Sequence, residues 1–103
     1  MSRFESGIPY VIKYIKGGVK AMAVAVIDIV NTGKNIRALR KKAGISVCEL
    51  QDIMGFNNPQ AIYKWERGET LPTIDNLVIL ATNLNVRVDD ILVLTETIVS
   101  ISA

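Results

Sequence analysis

Between Ser46 and Gly68, apolar and polar positions recur at helical spacing in two short blocks separated by a tight turn. In the first block Leu50, Ile53 and Met54 share one face, and Ser46 with Glu49 three residues later has the pattern of a capping box. A helix is therefore predicted to start at Ser46. Gly55 follows the last apolar residue, where a left-handed residue ends a helix. Asn58 before Pro59 supplies an N-cap followed by the residue favoured at the first helical position, so a second helix is predicted to begin near Pro59 and to end at Gly68. Its inward side is Ala61, Ile62 and Trp65, which leaves Pro59, Gln60, Tyr63 and Lys64 facing away from the core. The spacing of Trp65 makes it a core aromatic and not a ligand platform.

The same pattern extends to either side. Thr32 is placed to cap a preceding helix whose Ile36, Leu39 and Arg40 face inward and whose end is marked by Gly44. Thr73, just after Pro72, can cap a further helix with Leu77, Leu80 and Ala81 on one face, ending near Asn85, and Val88, Ile91 and Leu92 would close the bundle. The flanks read differently. Residues 8–20 set Ile8, Val11, Ile12, Ile15 and Val19 against Lys13, Lys16 and Lys20, a basic amphipathic pattern suited to a partner or a membrane surface but interrupted by Gly17-Gly18. Residues 23–30 and 93–101 are short and rich in β-branched side chains, the composition of strands flanking the bundle, which can pair with each other or across a two-fold axis. Residues 1–21 then form an N-terminal extension, ahead of a helical domain with a C-terminal tail over residues 22–103.

Two short helices across a tight turn, the second carrying outward polar side chains, are the build of a helix-turn-helix. The chain resembles the lambda-repressor-like (XRE-type, Cro-like) helix-turn-helix regulators over about residues 31–92. The resemblance rests on Asn35-Ile36-Arg37-Ala38-Leu39-Arg40, Ala43-Gly44-Ile45-Ser46, Glu49-Leu50, Gly55, Trp65-Glu66-Arg67-Gly68, Leu71-Pro72, Asn76-Leu77, Leu80-Ala81 and Val86 through Leu92, all in family order. It implies an all-α domain, a compact bundle of five helices whose second and third form the DNA-binding unit, here with short flanking β-strands. It also implies that Arg40 pairs with Glu66, joining the first helix to the third; a charge on a core-facing position needs such a partner. Three positions depart from the family pattern. Val47 stands where most members place a glutamine that supports a phosphate contact, and Arg87 stands where a Ser or Thr usually caps the fifth helix. The Phe56-Asn57-Asn58 turn is one residue longer than the commonest spacing between the turn glycine and the tryptophan, which leaves the DNA-facing register free to shift by one position.

Charge constrains how such a domain would hold DNA. The chain of 103 residues carries a net charge of only +2, and residues 31–92 hold eight basic residues against seven acidic ones. Affinity must come from local placement, with Lys34, Arg37, Lys41, Lys42, Lys64 and Arg67 as candidate phosphate neighbours. Gln60 is placed to read adenine and Lys64 to read guanine, with Asn57 and Asn58 as further base contacts. Arg67, Ser46, Val47, Tyr63 and Lys34 are the candidates for the backbone, Ser46 and Val47 through amides at a helix start.

Chemistry of other kinds has little to work with. There is no histidine, no Gly-rich phosphate loop and no nucleophile beside a recognisable base, so neither an enzyme nor a metal or cofactor site is expected. The lone cysteine, Cys48, has no intrachain disulfide partner and reads as a half-buried helix residue. Three lysines in residues 8–20 oppose a transmembrane span, and no clean signal-peptide core precedes a cleavage site, so the expected compartment is the cytoplasm. The resulting expectation is a sequence-specific DNA-binding transcriptional regulator, a repressor by family habit, that binds a pseudo-palindromic operator in double-stranded DNA as a homodimer. The alternative is a protein-interaction module, such as the antitoxin of a toxin–antitoxin pair, whose partner binds through the C-terminal tail.

Overall fold

The computed structural model describes the backbone of residues 19–102 and the side chains of residues 25–95; the amphipathic pattern over residues 8–20 lies almost wholly outside the described residues. The order of elements is β1 (Val19–Ile27), α1 (Ile29–Lys42), α2 (Val47–Met54), α3 (Gln60–Glu66), α4 (Ile74–Leu84), α5 (Val88–Ile91) and β2 (Leu94–Ser102). The five helices lie in one compact unit, Ile27–Val93. The strands β1 and β2 pair with each other in a two-stranded sheet.

Local chemistry accounts for most helix boundaries. Ser46 and Glu49 form the reciprocal capping box at α2: the Glu49 amide donates to Ser46 Oγ at 3.0 Å and the Ser46 amide to Glu49 Oε1 at 3.3 Å. Gly55 ends α2 at φ 71°, in the left-handed region where a Cβ would be strained. Thr73 caps α4 through the Asn76 amide, and Asn85 ends it in the left-handed conformation. At α5, Arg87 offers no side-chain cap; the Asp90 carboxylate instead accepts from the Arg87 amide at 2.9 Å, and the helix stays a single turn.

The first helix starts earlier than the Thr32 reading places it. Asp28 is the N-cap, its carboxylate accepting from the Asn31 amide at 3.0 Å, so Ile29 and Val30 are helical and the first strand stops at Ile27. Thr32 is fully buried within α1, and its hydroxyl accepts from the Val93 amide at 2.9 Å. Thr32 lies inside the first turns of α1, its amide already bonded to the Asp28 carbonyl, so it is not the cap and its hydroxyl serves the far end of the unit instead. The Asp28 amide donates to the Val93 carbonyl at 2.8 Å, so the two ends of the helical unit are clasped together.

The core is formed by Ile36, Leu50, Ile62, Trp65, Leu77, Leu80, Ala81, Leu84 and Ile91, drawn from all five helices. Ile53, expected beside Leu50, is instead 40% exposed, because α2 is short and presents only a narrow stripe to the bundle. Cys48 is exposed and not half-buried, since it lies in the first turn of α2 two residues from the inward Leu50. Phe56, in the connection between α2 and α3, packs edge-on against Trp65 with ring centroids 5.7 Å apart.

Candidate nucleic-acid interface

The third helix is only two turns long, so its orientation depends on what it packs against. On the inner side Ile62 is fully buried and Trp65 nearly so. At Gly33 the backbone of α1 meets the end of α3 so closely that an added Cβ would sit 2.2 Å from the Trp65 carbonyl oxygen. Arg40 then locks the pair: its Nε donates to Glu66 Oε2 at 2.8 Å and its second guanidinium nitrogen to Glu66 Oε1 at 3.1 Å. Its remaining nitrogen donates to the Ile45 carbonyl at 3.0 Å. Both side chains are under a tenth exposed, at 9% and 8%. Hydrogen bonding to Glu66, reinforced by its charge, holds the Arg40 guanidinium above its ordinary value against the opposing effect of burial.

With the inner face fixed, Gln60, Tyr63, Lys64 and Arg67 are exposed along the outer side of α3 and its C-cap. Asn57 is exposed in the connection. Asn58 is also exposed, but its Oδ1 accepts from the Gln60 amide at 3.0 Å, which leaves its amide group as the part free for another contact. The helix itself begins at Gln60, with Pro59 at the cap position and no cap from its own side chain. Ser46 is exposed and Val47 half-buried at the start of α2, where the first backbone amides have no partner within the helix. A cleft of about 420 Å³ joins these elements, lined by Arg37, Arg40, Val47, Tyr63, Glu66 and Arg67.

One predicted contact is less free than the sequence suggests. The Arg67 Nε is hydrogen-bonded to the Glu69 carboxylate, with both groups about half exposed. That bond, then the charges of Arg67 and Lys64, hold Glu69 below the usual carboxylate range. Glu69 was not legible as part of this surface, although an acid two residues beyond the last arginine of a helix is the available signal. Of the other cations, Lys34, Arg37 and Lys41 are exposed on α1 and line one groove with Arg67. Lys42 does not join them; it lines a different hollow with Leu39 and the end of α4.

A bundle of five helices, the second capped at Ser46 and the third presenting a polar outer stripe, matches a known pattern in sequence as well. Residues 36–91 match the model of a family described as helix-turn-helix, more than half of the chain. The chain belongs to the XRE-type helix-turn-helix family. It is thereby placed among DNA-binding transcriptional regulators. Among solved structures, it is similar to the restriction-modification controller protein C.AhdI from Aeromonas hydrophila, at 28% identity and a TM-score of 0.56, over 62% of this chain and 96% of that one. The clp gene regulator ClgR from C. glutamicum shares the fold at 22% identity and a TM-score of 0.55, over 60% of this chain and 78% of that one. The S. venezulae BldD DNA-binding domain does so at 24% identity and a TM-score of 0.55, over 63% and 96% of the two chains. No curated protein matches this helix-turn-helix chain in sequence. Among the described residues, no helix is long and apolar enough to cross a membrane.

Proposed function

We propose that this regulator acts in the cytoplasm as a homodimeric repressor, reading a pseudo-palindromic operator in double-stranded DNA through Gln60 and Lys64. The observation that carries the reading is the orientation of α3. Ile62, Trp65 and the Arg40–Glu66 pair hold one side, so Gln60 and Lys64 project one turn apart from the other. An amide side chain can meet adenine through two hydrogen bonds and a lysine can reach guanine, each good contact contributing about 1–3 kcal/mol of discrimination. Asn57 and the free amide of Asn58 flank them. The free amides at the start of the helix that Ser46 caps, beginning with Val47, are assigned with Tyr63, Lys34 and Arg67 to the phosphate backbone, where they position the domain without specifying sequence.

Two-fold pairing is supported by α4. Ile74 is 80% exposed and Val78, one turn on, is half exposed, an apolar strip that a single chain leaves in water. Control of transcription is supported by the likeness to C.AhdI, a restriction-modification controller protein. No catalytic activity, metal or cofactor is assigned.

Binding-site selection from random duplexes tests the reading. The wild-type chain should return an inverted repeat, and Gln60→Ala should lose preference at one position in each half-site while keeping weak binding to all sequences. The same motif from both proteins would remove Gln60 from base reading. A single unrepeated half-site would remove the dimer.

A further inference from the structure

The groove between α1 and the end of α3 has a volume of about 720 Å³, and its walls carry Lys34, Arg37, Lys41 and Arg67. The first three recur at i, i+3 and i+7, so they form one row along α1. Glu66 also lines the groove, but its charge is taken up by Arg40. Arg67 is engaged by Glu69. Among the described residues these are the two ion pairs, so no carboxylate lies within 4.0 Å of the charged groups of Lys34, Arg37 or Lys41. Three positive charges with no ion-pair partner among the described residues thus stand on one face of α1. Such a concentration calls for a polyanion.

We infer that the α1 row is a second edge of the DNA-binding surface, which grips the phosphates of the duplex beside those met by α2 and α3. Three features favour duplex backbone as the occupant. The row spans about 10 Å along the helix, at 1.5 Å per residue. One DNA strand rises about 3.4 Å of axis per phosphate while it winds around that axis, so a straight row of this length faces about two consecutive phosphates. Arg37 lines both this groove and the cleft that reaches Val47 and Tyr63, so the row is continuous with the recognition unit. Val30 and Ala38 supply an apolar floor along which the lysine stems can lie while their ammonium groups reach outward. Because the row touches backbone only, it sets affinity and salt dependence and leaves sequence preference to α3.

The inference rests on the DNA-binding reading, and the test separates the two. The full chain and a variant carrying Lys34→Gln, Arg37→Gln and Lys41→Gln are titrated with the duplex that selection returns for the wild type and with a random-sequence duplex, over a range of salt concentrations. Each lost phosphate contact lowers the log–log salt slope by about 0.9, so the triple variant should lose about two units for each bound protomer, on both duplexes. Its selected motif should stay that of the wild type, and its melting temperature should hold because the three side chains are exposed and without ion-pair partners. Lys34→Arg with Lys41→Arg should keep the wild-type slope. A triple variant that binds with the wild-type slope overturns the row and leaves the reading by α3 standing, whereas one that loses the motif overturns the assignment of the row to the backbone alone. A wild-type chain that binds neither duplex overturns both.

Discussion

Removing the arginine from the Arg40–Glu66 pair is the sharpest perturbation this fold offers. In Arg40→Met the Glu66 carboxylate, 8% exposed, keeps its charge and loses both hydrogen bonds, at 2.8 and 3.1 Å, while the Ile45 carbonyl loses a third at 3.0 Å. A buried charge stripped of its partner costs about 3–5 kcal/mol, whereas an exposed pair is worth about 1 kcal/mol or less. Low exposure and two-pronged geometry put this pair in the first class. Small domains are held by about 5–15 kcal/mol in all, and at this size each kcal/mol moves the melting temperature by about 4–8 °C. Thermal unfolding followed by circular dichroism should therefore show Arg40→Met melting at least about 12 °C below wild type. Adding Glu66→Leu should recover part of the loss, because no charge is then stranded and the apolar side chains can pack against each other. The double-mutant cycle decides the matter: a single variant that melts like wild type, or a double variant whose loss is the sum of the two single losses, would show that the pair does not hold α1 to α3.

Two further predictions follow from how α1 is anchored. Gly33→Ala gains about 1 kcal/mol of helix propensity but brings a Cβ to 2.2 Å from the Trp65 carbonyl oxygen and 3.0 Å from that of Glu66. Both obstacles are backbone and cannot swing aside, so the variant should be less stable by about 1–3 kcal/mol in urea titration and should bind DNA more weakly as α3 is displaced; a stabilised variant would refute the close approach. Asp28 is held below its ordinary value of 3.8 by the amide and side chain of Asn31, with the charge of Lys34 as a smaller cause. Its contribution is complete above the unfolded value and is lost as pH falls through the folded one, so wild type should lose melting temperature on acidification through that window more steeply than Asp28→Asn, and parallel curves would refute the cap.

Elements whose causes are local can be read from the residues alone. Ser46 and Glu49 cap α2 with side chains three residues apart, Gly55 supplies a left-handed stop, and Ile62 and Trp65 mark the inner side of α3 by period alone. The same period makes the outward residues Gln60, Tyr63 and Lys64 legible, since a helix with one side packed has only one side to offer. Thr32 shows the limit. A threonine ahead of an apolar helical run is a good local cap, and only the arrival of Val93 from the far end of the unit engages that hydroxyl and leaves the cap to Asp28. The strand segments were visible as β-branched composition, but which partner each takes is a long-range matter, and their pairing with each other became visible only in the fold. Ile53 and Cys48 followed helical period or residue type toward the core, yet burial depends on how much of a short helix its neighbours cover. The cations on α1 were individually legible; that Lys34, Arg37 and Lys41 line one groove with Arg67 while Lys42 lies elsewhere was decided by tertiary structure, because charge is counted along the chain but acts through space.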